Sequence, residues 1–372
     1  MKNGAITVMR RNPTRFSMVL GAGGVLAASV ATVAYAATTA NAAVAHTPSW
    51  HTILSLPGGK TPSNSVETVV ATGRTSGWAF LASSSVAYER IGSTTWKKVA
   101  LPEKSGAVNV AQATSQSNVW AAYRTAAGTH VDRWNGHRWT TMKSFPGQIT
   151  ALSVLSPSDV WAFGGLSNKT TKLPQGVFHF NGRSWTQVTA AFQGGSAVND
   201  RNVWAYTGTT IAHFDGRKWT QVNVAGLFPA KTPGEYTSPV LTGILALAPN
   251  NVYAIGDGPL GPHIGNGVIL HYNGHAWSRV GVGGFISTVG QQAAVDGTGG
   301  LWISAQNPEG PNRLFHYAAG KVTLLFLPGS TGLPTASNSV SRIPGTAEAI
   351  TGGTAFNASN SAANRAVILQ YS

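Results

Sequence analysis

The feature that most constrains this chain is a pair of aromatic anchors that recurs through most of its length. The first anchor falls at Trp78, Trp120, Trp161, Trp204, Tyr253 and Trp302, with successive spacings of 42, 41, 43, 49 and 49 residues. A degenerate seventh copy, Ala347-Glu348-Ala349-Ile350-Thr351-Gly352, follows. The second anchor is Trp96, Trp139, Trp185, Trp219 and Trp277, with Val322 in the sixth copy. Between the anchors lie Trp134-Asn135-Gly136, Phe180-Asn181-Gly182, Phe214-Asp215-Gly216 and Tyr272-Asn273-Gly274. Asn-Gly and Asp-Gly between apolar runs read as type I′ hairpin turns, which need positive φ at both central residues. Self-similarity at this period, four strands per unit, is the signature of propeller blades.

Runs such as Val160-Trp161-Ala162-Phe163 are apolar at every position, as expected when both faces of a sheet are covered. The chain ends also complement each other. The last copy stops at Val367-Ile368-Leu369-Gln370-Tyr371-Ser372, where a hairpin and a Trp-led strand should follow. That strand is found near the other end, as Trp50-His51-Thr52-Ile53. The expected fold is therefore all-β: a seven-bladed β-propeller of four-stranded antiparallel blades, closed by an N-terminal outer strand in the last blade. One detail sits awkwardly. In W-x-x-V the two apolar residues are three apart and would face opposite ways on a flat strand. Either the Trp sits at the turn or a bulge intervenes.

The opening segment does not share the repeat. Lys2, Arg10, Arg11 and Arg15 precede an apolar, small-residue run from about Phe16 to Ala36. Ala34-Tyr35-Ala36 and Ala40-Asn41-Ala42 both fit small-x-small cleavage sites. Residues 1–42 are expected to be a secretory signal peptide and short linker, and 43–372 the propeller. An uncleaved anchor is the competing reading, since the run nears the length of a spanning helix. Asn12-Pro13 after Arg10-Arg11 favours general secretion over a twin-arginine signal. The expected location is extracellular, free or attached to the cell wall, with no stable membrane span after cleavage.

Composition bounds the chemistry. Cysteine is absent, which excludes disulfides, a thiolate nucleophile and thiolate metal sites. The formal charge is +14, from 26 basic and 12 acidic residues; the signal carries four of the former and none of the latter, leaving +10. An exported protein of that charge is drawn to anionic polymers or glycans, or to another envelope protein, unless the charge only solubilises the surface. Nucleic acid is not an expected partner. A monomer without cofactors or metal is.

Links between the first and second strands of each repeat, such as Ser156-Pro157-Ser158-Asp159, are short and alike. Links between strands two and three vary: Gly164 to Gly176, Gly256 to Gly267, Ala305 to Asn312. So do links between blades, the longest being Asn223 to Pro239. In a propeller these two variable classes share one face of the disc, where binding is expected.

Around residues 160–188 the chain resembles a kelch repeat: an apolar strand ending in Gly164-Gly165, then Val177-Phe178-His179-Phe180, then Trp185-Thr186-Gln187-Val188. Ala349-Ile350-Thr351-Gly352-Gly353 repeats the double glycine. Other copies keep one glycine or none. The similarity spans about 48–372 and implies a kelch-like, galactose-oxidase-like seven-bladed propeller; the chain also looks like Trp-rich propellers of actinobacterial secreted proteins. Kelch propellers mostly bind partners. The copper oxidases among them need a crosslinked Cys and Tyr, and without Cys that role does not carry over.

Residue types with chemistry to offer are few. His179, His213, His271 and His316 hold equivalent third-strand positions in four blades, too far apart to converge on one metal, so their recurrence reads as structural. Asp159 and Asp200 fall in tight turns, where Asp bonds its own backbone; Asp215 belongs to a hairpin. Glycosidase chemistry needs two carboxylates across a cleft. Glu103, Glu235, Asp257 and Glu309 can approach the variable face, with Glu67 near an inner strand, but no spacing selects a pair. Phe145, Phe192, Phe228, Tyr236 and Phe285 lie between blades, either stacking on sugar rings or plugging seams. The expected function is a secreted, non-catalytic binding or adhesion propeller for an extracellular or cell-wall polymer or a protein. Its candidate ligand-binding residues on the variable face are Glu103, Phe228, Glu235, Tyr236, Asp257, His263 and Glu309. The alternative is a sialidase- or glycosidase-like hydrolase or lyase acting on polysaccharide, with carboxylates at the channel mouth.

Overall fold

In a computed structural model the chain forms seven four-stranded antiparallel sheets. The described residues are 48–57, 65–82, 84–102, 106–235, 237–260, 266–283, 293–307, 310–329, 335–357 and 363–372. Residues 1–42, expected to be a signal peptide and linker, lie outside them. Among the described residues no helix is long and apolar enough to cross a membrane. Blades 1 to 6 each use four consecutive strands: 66–100, 107–145, 149–189, 194–223, 240–283 and 293–325. Blade 7 takes three strands from 339–371 and its outermost from Trp50–Leu56. Trp50 pairs with Tyr371, His51 with Gln370 and Leu56 with Ala366. Trp50–Leu56 and Arg365–Tyr371 share one sheet, as the sequence leads one to expect.

The core consists of seven clusters, one in each seam between neighbouring blades. This resolves the W-x-x-V puzzle. Trp96 packs in the seam with blade 7 and Val99 in the seam with blade 2. Trp139 and Met142 divide in the same way, as do Trp185 and Val188, and Trp277 and Val280. The two apolar residues do face opposite ways, and both faces are buried. A bulge is present in four of these outer strands, at Ile53, Met142, Val188 and Val280, the residue skipped in each register. It acts downstream of the pair: it turns Phe145 from the side of Trp139 to the seam with blade 3.

The Asn-Gly hairpins are not type I′. Only the glycines have positive φ, 95° at Gly136, 90° at Gly182, 91° at Gly216 and 94° at Gly274. Each loop is four residues between paired strand ends such as Trp134 and Trp139. The Asn135 side-chain oxygen accepts from the N–H groups of His137 and Arg138, and Asn181, Asp215 and Asn273 repeat the arrangement. The longer loop and the Asx bonds satisfy the turn without forcing Asn out of its ordinary conformation.

Each inner strand pairs on one side only, so its other edge carries N–H groups that need acceptors. Side chains of the preceding blade supply several. Ser339 accepts from Val69 N–H at 3.0 Å, Ser341 from Ala71 at 3.0 Å, Ser153 from Ala197 at 2.9 Å and Ser196 from Ala246 at 3.1 Å. Gln112 does the same for Val154. The ring is thus joined by polar bonds on its axis and by apolar seams outside it.

Candidate functional site

The variable links do share a face. Asn266, at the end of the second-to-third-strand link of blade 5, donates to Glu235 in the link between blades 4 and 5 at 3.1 Å. Asn266 also donates to the Pro259 carbonyl, and Leu260 N–H to Thr237 Oγ at 2.7 Å. The Thr232 N–H bonded to Glu235 holds that carboxyl below the usual carboxylate range, so it is ionised at neutral pH. On the same side, Asn312 of blade 6 donates to Asn338 of blade 7, which donates in turn to Ser65 and the Val66 carbonyl at the head of blade 1. Burial pushes the nearby Glu67 carboxyl up. These loops are shorter than the sequence implies. In blade 3 pairing continues past Gly164-Gly165 to Ser167 and Pro174, because the two glycines absorb the irregularity at φ of 89° and 84°. A Cβ on Gly164 would lie 2.2 Å from the Gln148 carbonyl oxygen.

Of the seven nominated binding residues, Glu103, Tyr236, His263 and Glu309 lie outside the described residues, as does Phe285. Glu235 is half-buried in the loop tie above. Asp257 is buried at the end of the second strand of blade 5. Phe228 corrects its assignment: it is 5% exposed and packs with Val224, Leu241 and Val252 in the seam of blades 4 and 5, leaving no ring face for a ligand. Phe145 and Phe192 are seam plugs too.

Among the described residues, other concave surfaces lie on the axis and at the rim. The axial channel holds a cavity of about 330 Å³ walled by all seven inner strands, with Gln112, Thr150, Ser196, Ser341 and Arg342 supplying polar atoms. Leu247 and Pro344, at the ends of inner strands, place it toward the uniform turns, opposite the variable loops. At the rim, the seam of blades 4 and 5 is open beside Val222, which is 44% exposed where its counterparts Val99, Met142, Val188 and Val280 are half-buried. The result is a groove of about 700 Å³ with Trp204, Tyr272 and Trp277 in its walls and Thr220, Gln221, Asn223 and His275 around them. The corresponding groove of blades 1 and 2, about 460 Å³, is basic, lined by Lys97, Lys98, His137 and Arg138.

The four repeated histidines do not meet one another; His179, His213 and His316 stack on the first anchor of their own blade, and His271 packs on Tyr253 at a tilt of 34°. Ring centroids are 4.3 Å apart for Trp161 and His179, 4.2 Å for Trp204 and His213, 4.5 Å for Tyr253 and His271 and 4.0 Å for Trp302 and His316. An Asp or Asn holds each imidazole: Asp159, Asn202, Asn251 and Asp296. In blade 2, Arg133 replaces His, lying over Trp120 and bonding Asn118. Asp159 therefore bonds a side chain across the sheet, not its own backbone as its turn position suggested. Asp200, from the first turn of blade 4, also reaches His179, at 3.4 Å. These three are the group among the described residues with the donors and spacing to hold a metal ion. The sequence hid them because Asp200 belongs to a different repeat.

No protein-family model and no curated sequence matches the chain. Solved propellers do. The chain is similar to YCF48 bound to the D1 peptide, with a TM-score of 0.52, 13% identity and coverage of 87% of this chain and 96% of that one. It is similar to the WD40 propeller domain of Doa1, at 0.56, 11%, 87% and 97%. Streptogramin B lyase matches at 0.55, 10%, 86% and 97%. At such identities the likeness establishes the seven-bladed propeller fold and nothing finer.

Proposed function

We propose that this chain is an exported, kelch-like binding propeller whose loop-bearing face recognises an extracellular or cell-wall polymer or a protein. The observation that carries this reading is the tie between Glu235 and Asn266. It fixes the longest link between blades, from blade 4 to blade 5, against the second-to-third-strand link of blade 5, and a surface ordered before binding loses less entropy when the partner arrives. A propeller solved with a peptide bound, YCF48, offers a precedent for the binding class. The basic rim groove at Lys97, Lys98 and Arg138 suits an anionic wall polymer and provides the control. The test is a pull-down with purified cell walls and a glycan array, comparing wild type, Asn266→Ala and the pair Lys97→Glu/Lys98→Glu. Retention lost at least ten-fold in Asn266→Ala alone supports the loop face. Loss only in the lysine pair moves the site to the rim, and no retention by wild type ends the proposal.

A further inference from the structure

We infer that Asp159, His179 and Asp200 form a divalent-metal site, with zinc as the fitting ion, that staples blade 3 to blade 4. His179 Nε2 lies 2.9 Å from Asp159 Oδ1 and 3.4 Å from Asp200 Oδ1, and all three donor atoms fall within 4.8 Å of one another. Ligands about 2.0–2.2 Å from a tetrahedral zinc ion are themselves a little over 3 Å apart, so the imidazole stands at about that spacing from each carboxylate and the two carboxylates lie within 4.8 Å of each other. Imidazole with two carboxylates is a donor set that zinc accepts, and a fourth position would open to water beside Asp200, whose side chain is 62% exposed. The stack on buried Trp161 fixes the imidazole plane before any ion arrives.

The other blades show what a purely structural clamp looks like here. His213 and His271 face the amides of Asn202 and Asn251, which are poor metal ligands. Asp296, the partner of His316, is 3% exposed and also accepts from Thr298 N–H, Thr298 Oγ and Gly300 N–H. By contrast, Asp159 and Asp200 make no further side-chain hydrogen bond among the described residues. Blade 3 thus places a carboxylate where blades 4 and 5 place an amide, and blade 4 adds a second one beside it. In a chain without cysteine, an ion there would supply a cross-link between blades that disulfides cannot.

The test uses the untagged protein with cobalt(II) as a visible-absorption probe and zinc as competitor, together with thermal melts with and without zinc. Asp159→Asn installs the residue that blades 4 and 5 carry, and Asp200→Asn changes an exposed turn, so both are expected to fold. The expected result is one cobalt equivalent with tetrahedral-type absorption, displaced by zinc, and a zinc-dependent rise in melting temperature of a few degrees. Each Asn variant should weaken binding at least ten-fold and abolish the rise. Failure of wild type to bind either ion at millimolar concentration overturns the assignment. So does equal binding by wild type and both variants, which would place the metal on other histidines.

Discussion

The indoles of Trp78 and Trp139 meet edge to face across the seam of blades 1 and 2, with centroids 5.4 Å apart and planes at 82°. Trp120 with Trp185, Trp204 with Trp277 and Trp302 with Trp50 repeat the contact at 6.1, 5.9 and 5.5 Å. In each case the first anchor of one blade meets the second anchor of the next. The two aromatic positions of the sequence repeat are therefore halves of one interaction, and neither finds its partner within its own copy. Ten of the indole N–H groups are buried without a hydrogen-bond acceptor. Seven of the ten, all but Trp96, Trp161 and Trp219, belong to an edge-to-face ring pair, an arrangement in which a ring face can stand in as a weaker acceptor.

Trp78→Ala is expected to destabilise the propeller by about 3–5 kcal/mol, the usual cost of emptying a buried aromatic site. Trp139→Ala should cost a similar amount. Because the rings touch, the double variant should fall short of additivity by about 0.5–3 kcal/mol. Val222→Thr, at an exposed position in the rim groove, should stay within about 0.5 kcal/mol. Guanidinium unfolding of the four proteins checks this, and strict additivity of the two tryptophans would remove the seam pair as a unit.

Closure makes the N-terminal strand structural. Removing residues up to 57 strips blade 7 of its outermost strand, leaves the edge of Arg365–Tyr371 unpaired and takes Trp50 away from Trp302. Exposed edges recruit other chains. The truncated protein should aggregate in size-exclusion chromatography, and amides of the final strand should exchange faster than in the full chain. A monodisperse truncated protein with unchanged exchange would contradict the role of that strand.

The sequence made the ring legible because the signals are local and redundant. Six aromatic first anchors and four Asn-Gly or Asp-Gly turns mark the period even where single copies depart from it, and Trp50 matches the missing strand by form alone. The turn geometry differs from the type I′ expectation because Asn-Gly satisfies two loop lengths, and only the distance to the following Trp separates them. The site was less legible for a different reason. Phe228 and Tyr236 look alike in an irregular link, yet burial of Phe228 depends on where the link packs. Asp200 likewise gains its meaning from a histidine in the preceding repeat, and one-dimensional spacing does not encode that approach.

Ser339 carries a prediction about the axis. Its fully buried hydroxyl accepts from Val69 N–H, and its carbonyl accepts from Thr351 Oγ. Ser339→Ala removes only the first bond and leaves a buried edge N–H without an acceptor, at an expected cost of about 1–3 kcal/mol. Ser196→Ala, which deprives Ala246 of its acceptor at a half-buried point, should cost less because water can substitute. Denaturant titration of both variants measures the difference. Equal and negligible costs would mean that the inner edges are held by the sheets alone.

The histidine clamps predict how stability depends on pH. Burial lowers the pKa of His213 and His271, with Asp215 partly opposing the shift at His213. The folded protein therefore binds fewer protons than the unfolded chain as the pH falls through the unfolded value of about 6.5, so acidification favours unfolding. The contribution of the neutral, stacked rings is fully present above that value and is lost as pH falls through the lower folded one. The guanidinium midpoint should drop between about pH 8 and about pH 5. In the double variant His213→Gln/His271→Gln the starting stability should be lower, because two ring stacks are gone, but the decline with pH shallower, because two of the groups that take up protons on unfolding have been removed. Parallel declines in the two proteins would assign the pH sensitivity to other groups and leave these imidazoles as packing alone.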